Sequence, residues 1–175
     1  MDLEKNIRPF HGKILNIIPP YQILETPFGM HGDLYPFAVI RNREFLEWRF
    51  GKHPERNYEI WVYRSKFGRQ IRGYAVLFLE AAKAYMVDLV ASSSAREVGD
   101  FMARLGRVLT DRGIGTLETW LPSGHFLQRG LLNTGFNARE EPLGIVPAAR
   151  IFDSSLSFDW VASNLFYTMA DGDVL

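Results

Sequence analysis

Cysteine is absent from this 175-residue chain, so it has no disulfide, no thiolate metal site and no cysteine nucleophile. That absence fits a reducing cytoplasm, the compartment expected here. Net charge is absent as well, because twenty basic and twenty acidic residues cancel. No global field then draws the chain to nucleic acid or to an anionic membrane. No apolar run approaches the ~20 residues that a membrane span needs. The opening Met1–Lys5 lacks the basic and then apolar pattern of a signal peptide. There are only four histidines, and His11 and His31 sit in loops without ligand spacing, so no metal site is expected. Neither a G-x-S-x-G elbow nor a phosphate-binding G-x-x-x-x-G-K-[ST] loop occurs.

What the chain does have is apolar mass. Apolar residues make up 47% and aromatics 14%, enough for one folded domain with a full core. Residues 1–41 read as an irregular N-terminal arm. It holds a short apolar run, Ile14–Ile18, stopped by Pro19 and Pro20, and a loop with Pro27, Gly29, Gly32 and Pro36. Residues 42–175 read as the domain proper. Asn42 caps a helix over Arg43–Phe50, ended by Gly51, with Phe45 and Trp48 on one face. Pro54 stops any continuation, and His53 before it has a structural place.

Three strands follow. Tyr58–Arg64, Ile71–Glu80 and Ala84–Val90 are rich in aromatic and β-branched residues and are joined by short links, which predicts an antiparallel meander. Ser94 and Glu97 then have the S-x-x-E spacing of a capping box. The helix Ala95–Arg112 carries Val98, Phe101, Met102, Leu105, Val108 and Leu109 on one stripe, with Gly113 placed to end it. Thr116–Leu121 reads as a strand parallel to Ala84–Val90, reached by a right-handed crossover. A short helix spans about His125–Asn133, and two strands, Ile145–Phe152 and Asn164–Met169, flank a polar connection. The class is α+β, a mixed and mostly antiparallel sheet with helices packed on it.

This order resembles the GNAT superfamily of N-acetyltransferases from about Asn42 to Met169. The likeness rests on the meander, the strand–turn–long-helix unit at Ala84–Gly113, the following strand and short helix, and Gly135-Phe136 after that helix. The resemblance implies an acyl-CoA, such as acetyl-CoA, held where two parallel strands part, with its pyrophosphate on backbone N–H groups at the start of the long helix. The implied contacts are Leu89, Val90 and Ala91 at the strand end, whose N–H groups would polarise the acyl carbonyl, and Arg96, Glu97, Val98, Gly99, Asp100 and Phe101 on the helix. The family signature there is Q/R-x-x-G-x-G/A. Arg96 and Gly99 match it; Phe101 is larger than the small residue expected, and Asp100 and Glu97 bring negative charge. Many members carry a tyrosine four residues before Gly-Phe, where this chain has Leu131, and the asparagine that often opens that helix is missing near Gly124.

Two residues are candidates for proton transfer. Asp88 lies inside an apolar strand, where a buried carboxylate must be paired or have a raised pKa, so it is a general base, an inward acid tied to an arginine or backbone donors, or an outward acid on a half-exposed strand. Strict alternation would put Met86, Asp88 and Val90 on one face, and Tyr85, Val87 and Leu89 on the other. His125 opens the short helix on the expected acceptor side, and is either a proton relay or a helix-start histidine. Arg96 either meets a phosphate or is solvated; Gly99 either admits phosphate or allows helix packing. Trp48, Trp61, Trp120 and Trp160 are expected in the core. Asp171-Gly-Asp173 is either a polar rim or a frayed acidic tail.

The readings divide by class. One is an acyl-CoA-dependent N-acyltransferase acting on a small-molecule or peptide amine. The other is a catalytically degenerate GNAT-like module for binding or dimerisation, one half of a tandem protein or a partner in a homodimer built by sheet extension. A third is a domain sharing only the architecture.

Overall fold

The structure, a computed structural model, describes residues 14–16, 34–64, 71–91, 94–140, 144 and 147–172. Its centre is a five-stranded sheet in the order β1-β3-β4-β5-β6: β1 Ile14–Asn16, β3 Tyr58–Arg64, β4 Ile71–Glu80, β5 Lys83–Ala91 and β6 Thr116–Glu118. β3, β4 and β5 form the meander that their short links dictate, and β1 adds an antiparallel edge, with Ile14 opposite Tyr63. β5 and β6 are parallel. A separate pair, β2 Phe37–Ala38 and β7 Leu165–Phe166, is also parallel. The fold is therefore α+β, with a mixed sheet.

The long helix α2, Ala95–Asp111, makes the crossover from β5 to β6. Its stripe of Val98, Phe101, Met102, Leu105 and Leu109 is buried. Gly113 follows at φ 79°, the left-handed turn that ends such a helix, and Ile114 N–H returns to Leu109 O at 2.9 Å. α1, Arg43–Leu46, is capped by Asn42 and widens into a π turn over Glu47–Gly51. α3, Phe126–Leu132, starts at His125. α2 and α3 cross at glycine: a Cβ on Gly130 would lie 2.8 Å from Ala95 O.

The tail departs from expectation. Among its described residues, Ile145–Phe152 contains no strand. Pro147 offers no N–H, and Phe152 is 84% exposed with no neighbouring strand to pair with. The connection read as polar coil contains α4, Phe158–Asn164, capped by Ser157, and this helix shortens the strand expected at Asn164–Met169 to β7. Ser157 with Asp159 in the first turn was the available signal. The tryptophans divide too. Trp61 is buried, whereas Trp48 and Trp160 are 67% and 40% exposed. No helix among the described residues is long and apolar enough to cross a membrane.

Candidate functional site

β5 departs from simple alternation. Its register with β4 pairs Met86 with Leu77 and Asp88 with Val76, leaving Val87 unmatched. That extra residue is a β-bulge. Because directly paired side chains share a face, the bulge puts Tyr85 on the same side as Asp88 and Val90, and Met86 on the side of Leu89. At the same place β5 loses its other neighbour. β6 pairs only through Lys83–Thr116, Ala84–Leu117 and Tyr85–Glu118. Beyond it, Thr119 Oγ1 donates to Met86 O at 2.8 Å, and then the two chains part.

Tyr35, from the N-terminal arm, enters this gap. Its hydroxyl donates to Ala91 O at 2.7 Å and accepts from Ala91 N–H at 2.9 Å. Ala91 lies opposite Gly73 of β4 but gives both its N–H and its C=O to Tyr35, so it is a non-hydrogen-bonded position of that ladder and these groups face the side on which β6 would lie. The ring packs on Phe166 at 4.8 Å, His125 at 5.4 Å and Phe126 at 5.9 Å. Burial and the charge of Asp88 push its phenol well above the usual range, so it stays protonated.

Asp88 is the hub of a dry ionic network. Arg41 Nε donates to Oδ2 at 3.2 Å, Tyr74 hydroxyl to Oδ2 at 2.8 Å, and Thr168 Oγ1 to Oδ1 at 2.8 Å. Arg41 turns its other nitrogens to Asp171, with Nη1 at 2.8 Å from Oδ1. The side chains of Arg41 and Asp88 have no exposed surface. Burial pushes the Asp88 carboxyl above the ordinary carboxylate range, against the pull of Arg41 and of the two hydroxyls. Thr168 and Asp171 form a capping box around the turn Met169–Asp171, and Arg49 donates to Gly172 O. Asp171 is therefore an anchored residue and not a frayed one; Asp173 lies outside the described residues.

His125 is committed at both nitrogens. Facing Leu34 O at 3.0 Å, Nε2 must carry the proton. Nδ1 then accepts from Leu127 N–H at 3.4 Å as the cap of α3. Burial lowers its pKa below 6.5. His53 is likewise structural, with Nδ1 accepting from Arg56 N–H at 3.1 Å.

The helix start is divided between core and solvent. Ser94 Oγ accepts from Glu97 N–H, which is one half of the expected capping box. Arg96 is exposed, and Glu97 and Asp100 are half-buried, whereas Val98, Gly99 and Phe101 are buried. Phe101 stacks on Tyr63 at 5.6 Å. A Cβ on Gly99 would meet Gly130 O at 3.3 Å, so this glycine serves the helix crossing. Leu131 is buried in the core. Leu89 and Val90 are fully buried along β5.

An open groove of about 1380 Å³ runs beside β6 and α3 and reaches Phe166, Thr168 and Asp171. Neither Asp88 nor His125 lines it. Among the described residues, no group of three or more His, Cys, Asp or Glu is placed to hold a metal.

The structure thus brings Asp88, His125 and Ala91 to one region, around a tyrosine that sequence reasoning did not single out. Arg41 and Thr168 were missed as well, since they lie 47 and 80 residues from Asp88 in the chain. Comparison with protein-family models, curated proteins and solved structures finds no match to this chain.

Proposed function

We propose that the chain is a GNAT-like binding module without acyl transfer. The observation that carries this reading is the state of Asp88. Attack of an amine on a thioester needs a group free to take the amine's proton. Asp88 is dry, already receives three donors, and lies off the groove. The second candidate, His125, uses Nε2 as donor and Nδ1 as acceptor. A buried leucine, Leu131, stands where many members of the family carry the tyrosine that would protonate a CoA thiolate.

The proposed ligand is an acyl-CoA. Its support is the bulge at Val87, the parting of β5 from β6, and a capped helix starting just past the strand tip. Arg96 is the exposed cation at that start.

A second reading, an acyl-CoA-dependent N-acyltransferase, is favoured by that same bulge, because bulges gather beside active sites and re-aim backbone groups. The test is thiol release from acetyl-CoA in the presence of a panel of primary amines. A binding module gives the uncatalysed rate with every amine. Amine-dependent release above that rate selects the second reading.

A further inference from the structure

Residues 34–41 of the N-terminal arm are fixed chiefly at two points. Tyr35 is buried and bonded to Ala91, and Arg41 is buried and bonded to Asp88 and Asp171. Between them the chain is lightly held. Phe37, Val39 and Ile40 are 38%, 49% and 74% exposed. Its other ties include the bond from His125 to Leu34 O, Arg41 Nη1 donating to Val39 O at 3.3 Å, the edge contact of Phe37 with Trp160 at 6.1 Å, and the two-residue pairing of Phe37 and Ala38 with Leu165 and Phe166. A segment with so few buried contacts opens at lower free energy than the strands beneath it.

What Tyr35 covers is chemically particular. Past Tyr85 and Glu118, β5 continues without β6, so Ala91 presents its N–H and C=O as an unpaired strand edge. One phenol serves both, accepting from the N–H and donating to the C=O. An extended amide-bearing chain offers the same donor and acceptor side by side, as a neighbouring strand does. The pantetheine arm of an acyl-CoA is such a chain.

We propose that Tyr35 is an autoinhibitory stopper. Residues 34–40 form a strap anchored at Arg41, and an acyl-CoA pairs with Ala91 only after Tyr35 leaves the gap. The inference rests on the acyl-CoA binding reading given above. It adds that the cleft is occluded by the chain's own side chain and is opened by removing it.

The test is calorimetric titration of acetyl-CoA, and of pantetheine alone, into wild type, Tyr35→Phe and Tyr35→Ala, with circular dichroism as the folding control. Tyr35→Phe keeps the ring and its packing and removes only the hydroxyl. The expected result is about tenfold or more tighter binding by the variants than by wild type, as two competing hydrogen bonds are lost. Equal, measurable affinity in all three proteins overturns the stopper and leaves the acyl-CoA reading standing. Absence of binding by wild type and by every folded variant alike overturns both. Hydrogen exchange of wild type supplies an independent readout. The Ala91 amide should exchange about tenfold or more faster than that of Val76 in the middle of β4; equal protection of the two overturns the strap.

Discussion

Asp88 and Arg41 meet at 3.2 Å with no solvent on either side chain. The pair joins the middle of the sheet to the N-terminal arm, and Thr168 and Asp171 extend it to the C-terminal turn. Three distant segments are therefore held by one buried network. Removing one member leaves its partner charged and dry, which is the costly outcome for a buried pair.

Asp88→Ala should lower unfolding free energy by about 3 kcal/mol or more, because among the described residues Arg41 then keeps only Asp171 as a charged partner. Asp88→Asn, which retains shape and acceptor oxygen, should cost less. Denaturant midpoints at neutral pH measure both. A loss below about 1 kcal/mol for Asp88→Ala would show that the network is not what ties the arm to the sheet.

The glycines of α2 and α3 give a prediction with two signs. Gly130→Ala would drive a methyl to 2.8 Å from Ala95 O and from Val98, and should destabilise by about 1–3 kcal/mol. Gly106 sits inside α2 with nothing within 4 Å of a built Cβ, so Gly106→Ala should stabilise by about 0.5–1 kcal/mol. Thermal melting of the two variants settles the pair.

His125 sets a pH dependence. Its pKa is below 6.5 in the folded protein because burial disfavours the imidazolium. The unfolded chain therefore binds the proton more readily than the folded one. The stability contributed by neutral His125 is complete above pH 6.5 and is lost as pH falls through the folded pKa. Melting curves of wild type and His125→Asn should converge on acidification through that window. A constant difference between them would remove the buried neutral histidine from the account.

The meander and the long helix were legible because their signals are local: aromatic and β-branched runs with short links, and an apolar stripe at helical spacing. Asp88 stood out as an acid in an apolar strand, and its burial follows from that. Its partners did not stand out. Arg41 and Asp171 are 130 residues apart, and no local pattern marks an arginine that will be buried. The bulge at Val87 was hidden for another reason. In a strand buried on both faces nearly every residue is apolar, so a one-residue slip leaves no trace in the alternation. The absence of a strand among the described residues 147–152 shows the converse, since strand-forming residues need a neighbouring strand and Phe152 has solvent.

The most direct measurement is acetyl transfer by the protein with its cleft both closed and opened. Thiol release from acetyl-CoA is followed with a panel of primary amines for wild type, Tyr35→Phe and Asp88→Asn. With Asp88 locked by Arg41, Tyr74 and Thr168, the expected rate is the uncatalysed one in all three, even where Tyr35→Phe binds the donor. Turnover by wild type or by Tyr35→Phe that disappears in a folded Asp88→Asn would contradict the non-catalytic assignment and make Asp88 a base.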